Sequence, residues 1–206
     1  MKIGILGTGS VGQALAKGFL KARHDVRLGS RSPAKVTAPT GATTGPLKEV
    51  AAWADVVVLA VPYRAVKETA IEAGAALVGG KILVDATNAL SASGDLAVGY
   101  TTSGAEEIAK LFPGAKIVKA FNTVFARFMA TGKVGTEPIS LFVAGDEPKA
   151  KDVVLRLGRD IGFDAVDAGP LRSARLLEPM AMQIIRMGSN PKIGWDIAFR
   201  LIRRSQ

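Results

Sequence analysis

Residues 2–12 read Lys2-Ile3-Gly4-Ile5-Leu6-Gly7-Thr8-Gly9-Ser10-Val11-Gly12. A short apolar strand, residues 2–6, runs directly into the pattern G-x-G-x-x-G. From Ser10 onward, Val11, Leu15, Phe19 and Leu20 recur on one face of a helix that extends to residue 21. The three glycines have different tasks. Gly7 permits the tight turn out of the strand, Gly9 leaves the backbone open to a pyrophosphate, and Gly12 lets the helix pack close to the strand. The helix N-terminus then presents free N–H groups and a partial positive charge to an anion. Such a pattern is unspecific alone, but its place between a strand and a helix gives it meaning. The stretch predicts the first βα turn of a dinucleotide-binding fold, with Gly7, Thr8, Gly9, Ser10, Val11 and Gly12 around the phosphates.

The next strand, residues 25–28, leads into Gly29-Ser30-Arg31-Ser32-Pro33-Ala34-Lys35. In NAD-binding units an acid about 20 residues beyond the glycine loop accepts hydrogen bonds from the adenosine ribose. Here a serine and an arginine stand in its place. A carboxylate there repels a 2′-phosphate, whereas a guanidinium binds phosphate oxygens with its planar fork and stacks on adenine with its face. Ser30, Arg31 and Lys35 therefore predict a receptor for the 2′-phosphate, and NADP(H) rather than NAD(H) as the cofactor.

The alternation of strand and helix continues. Residues 30–46 read as loop with a helical turn after Pro33, and 47–53 as a short helix. Residues 55–61, "DVVVLAV", form an unbroken apolar run that suits a parallel strand buried on both faces. Helices follow over 63–77, 103–111 and 148–158, with strands over 81–85, 117–120, 139–144 and 163–166. A long apolar helix over 171–187, interrupted by Pro179, and a shorter basic helix over 195–203 close the chain. This order predicts an α/β, Rossmann-type fold: a mostly parallel sheet with helices on both faces and a short helical C-terminal tail. With no repeat or linker visible, residues 1–206 read as a single NADP-binding domain. Its C-terminal segment, 170–204, is placed on the substrate or dimer side.

Composition excludes several alternatives. The chain contains no cysteine and one histidine, His24, set between the first helix and the second strand. That removes disulfides, thiolate metal sites and cysteine nucleophiles, and it argues against a Ser-His-Asp triad or a multi-histidine metal centre. No metal is expected. The formal charge is +9, but the cations are dispersed without an arginine-rich block or interleaved aromatics. The expected partner is a small anionic cofactor or substrate, not nucleic acid. No run approaches the roughly 18 apolar residues of a membrane span. The first residues lack the basic, apolar and cleavage regions of a signal peptide, so no membrane partner and a cytoplasmic location are expected.

In such folds chemistry occurs at the carboxyl ends of the strands. Those ends read Ala60-Val61-Pro62, Asp85-Ala86-Thr87-Asn88 and Ala120-Phe121-Asn122-Thr123. Ala60 and Val61 are small enough to let a cofactor lie against the backbone. Asn88 and Asn122 are candidates to orient the carboxamide or ribose of a nicotinamide, or to hold structural turns. Asp85 ends a strand and is equally suited to cap the turn after it. No acid–base pair is evident, and the catalytic residues stay unassigned. Alcohol oxidation usually needs a base for the hydroxyl proton. Hydride exchange with a flavin-like ring needs mainly alignment, because the cofactors carry the chemistry.

The stretches "ILGTGSVG" (5–12), "GSRSPAK" (29–35), "KAFNTV" (119–124), "VAGDEPKAK" (143–151) and "DAGPLRSARLLEPMA" (167–181) together resemble the NADP oxidoreductase, coenzyme F420-dependent family. That fold is shared by the cytosolic ferric-reductase domains of STEAP proteins. The resemblance spans nearly the whole chain. It implies an NADPH site at residues 7–12, Ser30, Arg31 and Lys35, and a deazaflavin (coenzyme F420) or flavin stacked on the nicotinamide near "FNT" and the C-terminal helices. It also implies a homodimer in which those helices pack, and makes Arg172, Arg175 and Lys192 suitable neighbours for the anionic tail of F420. Archaeal members tend to carry a histidine where this chain has Asn122, a departure that bears on the second substrate and not on the dinucleotide half.

The leading expectation is thus an NADPH-dependent oxidoreductase passing hydride to F420 or a flavin-like acceptor. The alternatives are a small-substrate NADP-dependent dehydrogenase or imine reductase, and a non-catalytic NADP(H)-sensing protein. The dehydrogenase reading calls for a large second helical domain and a lysine base. Too few residues follow position 168 for the first unless dimerisation supplies the rest, and no convincing lysine is visible for the second.

Overall fold

A computed structural model describes residues 1–77 and 79–204, except for the side chain of residue 75. In chain order the elements are β1 (Lys2–Leu6), α1 (Ser10–Lys21), β2 (Asp25–Gly29), β3 (Thr43–Gly45), α2 (Leu47–Trp53), β4 (Val56–Leu59), α3 (Val66–Ala73), β5 (Ile82–Asp85), α4 (Gly104–Leu111), β6 (Lys116–Lys119), β7 (Lys133–Val134), β8 (Glu137–Pro138), β9 (Ser140–Gly145), α5 (Pro148–Ile161), β10 (Asp164–Asp167) and α6 (Ala174–Gly188).

The main sheet runs β10-β9-β6-β5-β4-β1-β2-β3. From β3 to β6 every pairing is parallel, in the order that turns back on itself between β1 and β4. In open α/β sheets such a reversal leaves a crevice at the carboxyl ends of the strands. The register sets those ends level. Leu6 pairs with Gly29 and Leu59, Leu59 with Asp85, and Asp85 with Lys119. β9 then joins β6 antiparallel, and β10 runs parallel to β9.

Side chains alternate along each strand, so the sheet separates two apolar layers. Ile3, Ile5, Val56, Val58, Val84 and Val118 face α1 and α5, where Leu15, Phe19, Val154 and Leu157 meet them. Leu6, Val57, Leu59, Leu83 and Ile117 face the other way, toward α2, α3 and α4. Asp85 and Lys119 stand in register with Leu6 and Leu59 and therefore belong to this second face. Burial on both sides is what the uninterrupted run at β4 requires.

Three sequence expectations need correction. The loop expected over 30–46 contains the edge strand β3, whose Thr43–Gly45 pairs with β2. Pro179 does not interrupt α6, which continues from Ala174 to Gly188 with the proline inside. A proline removes one hydrogen bond and crowds the preceding turn, but buried Leu177, Glu178, Ala181 and Met182 hold the helix on both sides of it. Residues 195–203 are not helical. α6 ends at Gly188, Gly194 adopts φ +75° a few residues on, and the segment after it forms neither helix nor strand. The Phe199 carbonyl accepts from the Ser140 N–H (3.0 Å), and the Leu201 N–H donates to Ser140 Oγ (2.9 Å). Trp195 seats against Gly188 and meets Phe125 edge-on at 5.2 Å. The other tryptophan, Trp53 of α2, lies under the Arg27 guanidinium, 4.3 Å from the ring centre. Among the described residues no helix is long and apolar enough to cross a membrane.

Candidate functional site: a glycine-lined cleft at the strand ends

A cleft of about 340 Å³ opens at the carboxyl ends of β1, β2 and β4. Gly7, Thr8 and Gly9 form its floor, Ser30, Arg31 and Ser32 one wall, and Ala60, Val61 and Pro62 the other, with Glu68 and Thr69 of α3 at the rim. Main-chain bonds fix the floor: Gly7 N–H donates to the Gly29 carbonyl (3.1 Å), and Ala60 N–H to the Leu6 carbonyl (2.8 Å).

The three glycines of the loop are required for three different reasons. Gly7 adopts φ +125°, and a side chain there would meet the Ala60 carbonyl at 2.2 Å. A Cβ on Gly12 would fall 2.2 Å from the Gly7 carbonyl, so this glycine sets the close contact of α1 with the loop. At Gly9 a Cβ would meet no protein atom within 4 Å. Packing therefore does not demand that glycine; the open space beside the backbone does. Gly9 is also the N-cap of α1, no side chain caps that helix end, and its first turn contains no acid. The unspent N–H groups and the dipole favour an anion at this point. The cradle fits the pyrophosphate of a dinucleotide.

The wall beyond β2 carries a hydroxyl and a guanidinium. Ser30 Oγ accepts from the Ser32 N–H (3.1 Å), which leaves its own proton free to donate. Arg31 is exposed, and its Nη1 lies 3.4 Å from Glu68 Oε2 across the cleft. Lys35 sits in the 3₁₀ turn Pro33–Lys35, exposed and outside the cleft lining. Of the thirteen residues singled out from the sequence, the cleft brings together Gly7, Thr8, Gly9, Ser30, Arg31, Ala60 and Val61. Ser10, Val11 and Gly12 open α1 immediately behind it.

Asn88 and Asn122 lie farther along the sheet and hold each other. Asn88 Nδ2 donates to the Asn122 carbonyl (3.0 Å), and Asn122 Nδ2 donates to Asn88 Oδ1 (3.3 Å) and to the Leu177 carbonyl of α6 (2.9 Å). Both amide protons of Asn122 are spent inward, which fixes its orientation and leaves Oδ1 buried without a protein partner.

Beneath this pair lies a charge cluster that the sequence reading missed. Lys119 Nζ donates to Asp85 Oδ2 (2.8 Å), Glu178 Oε1 (2.9 Å) and the Thr87 carbonyl (2.8 Å), all buried. Glu178 also accepts from the first N–H groups of α4, Gly104 (2.8 Å) and Ala105 (3.1 Å). Asp85 accepts from the Thr87 N–H (2.9 Å) and so does cap the turn after β5. Burial opposes the charged form of Lys119, but the two carboxylates outweigh it and hold its pKa above the ordinary lysine value. Tyr63, at the end of the β4 loop, has its phenol pKa raised by burial and by Glu178, Glu107 and Asp85. Arg175 grips Glu106 with two bonds (2.9 and 2.7 Å), whereas Arg172 and Lys192 are exposed. The available signal was a lone acid, Glu178, on the apolar face of α6.

The profile of the family described as NADP oxidoreductase, coenzyme F420-dependent, matches residues 2–89. The F420-dependent NADP reductase of Methanothermobacter thermautotrophicus is 31% identical over 219 residues, covering 94% of this chain and 91% of its own. This chain belongs to that family. A crystal structure of a candidate F420-dependent NADP reductase from Arthrobacter sp. FB24 superposes with a TM-score of 0.89 at 32% identity, covering 98% of this chain and 100% of that one. Metalloreductase STEAP3 of Rattus norvegicus is 31% identical over 190 residues, which are 89% of this chain but 37% of the STEAP3 length. The family member described here thus spans under two fifths of that relative.

Proposed function

We propose that this chain binds NADP(H) in the glycine-lined cleft and exchanges hydride with a deazaflavin such as F420, or with a flavin-like acceptor. The observation that carries the reading is the wall beyond β2, where Ser30 and Arg31 line the cleft and no acid stands. The Gly7–Gly9 floor and the start of α1 hold the pyrophosphate, and Ser30 and Arg31 hold the 2′-phosphate, with Lys35 as an outer cation. Ala60 and Val61 keep water from the inner wall. Asn88 and Asn122, braced by Leu177, set the shape of the strand ends on the nicotinamide side. NADPH bound there supplies a hydride at its nicotinamide ring.

Lys119 disfavours the dehydrogenase alternative. It is a lysine buried at the strand ends, but its three protons are committed to Asp85, Glu178 and the Thr87 carbonyl, so it does not serve as a base. The C-terminal part, 170–204, is read as the acceptor or dimer side, with exposed Leu176 of α6 available to a second copy. A homodimer in the cytoplasm completes the proposal, and light scattering reports its mass.

The deciding experiment follows NADPH oxidation with F420, FMN, FAD and ferric chelates in parallel. Bleaching of F420 or a flavin supports the reading. NADPH binding without turnover on any acceptor would replace it with a non-catalytic sensor.

A further inference from the structure

Arg31 and Glu68 are, among the described residues, the only charged side chains lining the cleft. They come from opposite sides, Arg31 from the turn after β2 and Glu68 from the first turn of α3, and they meet at 3.4 Å. Each is about two-thirds exposed, so neither is held by packing. A phosphate that engages Arg31 must do so within reach of a carboxylate already paired with it. Its charge repels that carboxylate, and the existing ion pair must be surrendered.

We propose that Glu68 is a specificity-determining residue that competes with the 2′-phosphate for Arg31 and so lowers the preference for NADP(H) over NAD(H). The inference rests on the NADP(H) reading above. NADH brings no 2′-phosphate, leaves the Arg31–Glu68 pair intact and escapes the competition. The carboxylate missing from the end of β2 is thus supplied from α3, facing the cation and not the ribose. An exposed pair of this kind is worth up to about 1 kcal/mol, which corresponds to about a fivefold change in affinity.

The test is a calorimetric titration of the unsubstituted chain and its Glu68→Gln and Glu68→Ala variants with NADPH and NADH. Both variants are expected to bind NADPH about two- to fivefold more tightly in low salt, with NADH changed less than twofold. The gain should shrink in 1 M salt, where screening weakens exposed charges. It should also vanish in an Arg31→Met background, because the coupling runs through that residue. Unchanged or weaker NADPH binding by both variants, or an equal change for both cofactors, overturns the proposal and leaves the cofactor reading standing. If the unsubstituted chain binds neither cofactor, the cofactor reading falls and the proposal with it.

Discussion

Lys119 and Glu178 form a salt bridge of 2.9 Å with no solvent contact at the lysine, joining the end of β6 to a helix 59 residues later. A lysine removed from such a cluster leaves Asp85 and Glu178 facing each other in the dry. Breaking a buried pair from one side costs about 3–5 kcal/mol. Lys119→Met is expected to lose about that much stability in urea denaturation, and a loss below 1 kcal/mol would contradict the ionised cluster.

The same cluster fixes a pH dependence. The folded pKa of Lys119 lies above the ordinary lysine value of 10.5. Its contribution to stability is therefore complete below the unfolded pKa and is lost as pH rises through the folded one. From pH 6 to 9 this contribution stays level, and above about pH 10.5 it falls. Parallel urea titrations of the unsubstituted chain and Lys119→Met should converge in the alkaline range and not in the neutral range.

Arg31→Glu tests the proposed cofactor wall directly. Hydrogen bonds to charged groups are worth about 1.5–3 kcal/mol each, so NADPH affinity should fall by about ten- to a hundredfold. NADH affinity should change little or rise. An equal loss for both cofactors would contradict the 2′-phosphate role.

The glycine loop allows packing to be separated from binding. Gly9→Ala places its methyl in open space at a φ of −75°, a backbone that alanine accepts. Stability should change by no more than about 0.5 kcal/mol, as at ordinary surface positions, while NADPH binding weakens sharply. Gly12→Ala places its methyl against the Gly7 carbonyl and should cost about 1–3 kcal/mol by overpacking. Thermal melts with and without NADPH distinguish the two.

The cofactor half was legible because its signals are local. One turn, residues 7–12, carries strand, loop and helix, and the parallel sheet follows from the alternation of short apolar runs with amphipathic helices. What stayed hidden depends on distant partners. β3 is three residues long, sits among prolines and glycines, and exists only through its register with β2. The tail over 195–203 has the composition of a basic helix, but its backbone is spent on Ser140. A segment so short has little helical stability of its own to resist that. Within the site, Glu68 and Arg31 are separated by 37 residues and Lys119 and Asp85 by 34. No spacing rule links such pairs. Only the level strand ends and the placement of α3 and α6 do.

The two tryptophans divide the molecule optically. Trp53 reports from beneath Arg27, beside the strands that frame the cleft, and Trp195 reports from the C-terminal tail over Phe125. Replacing either one with phenylalanine leaves a single tryptophan, which excitation at the red edge of the absorption band selects over Tyr63 and Tyr100. Release of the tail and loosening of the β2 edge can then be timed separately, without an added label.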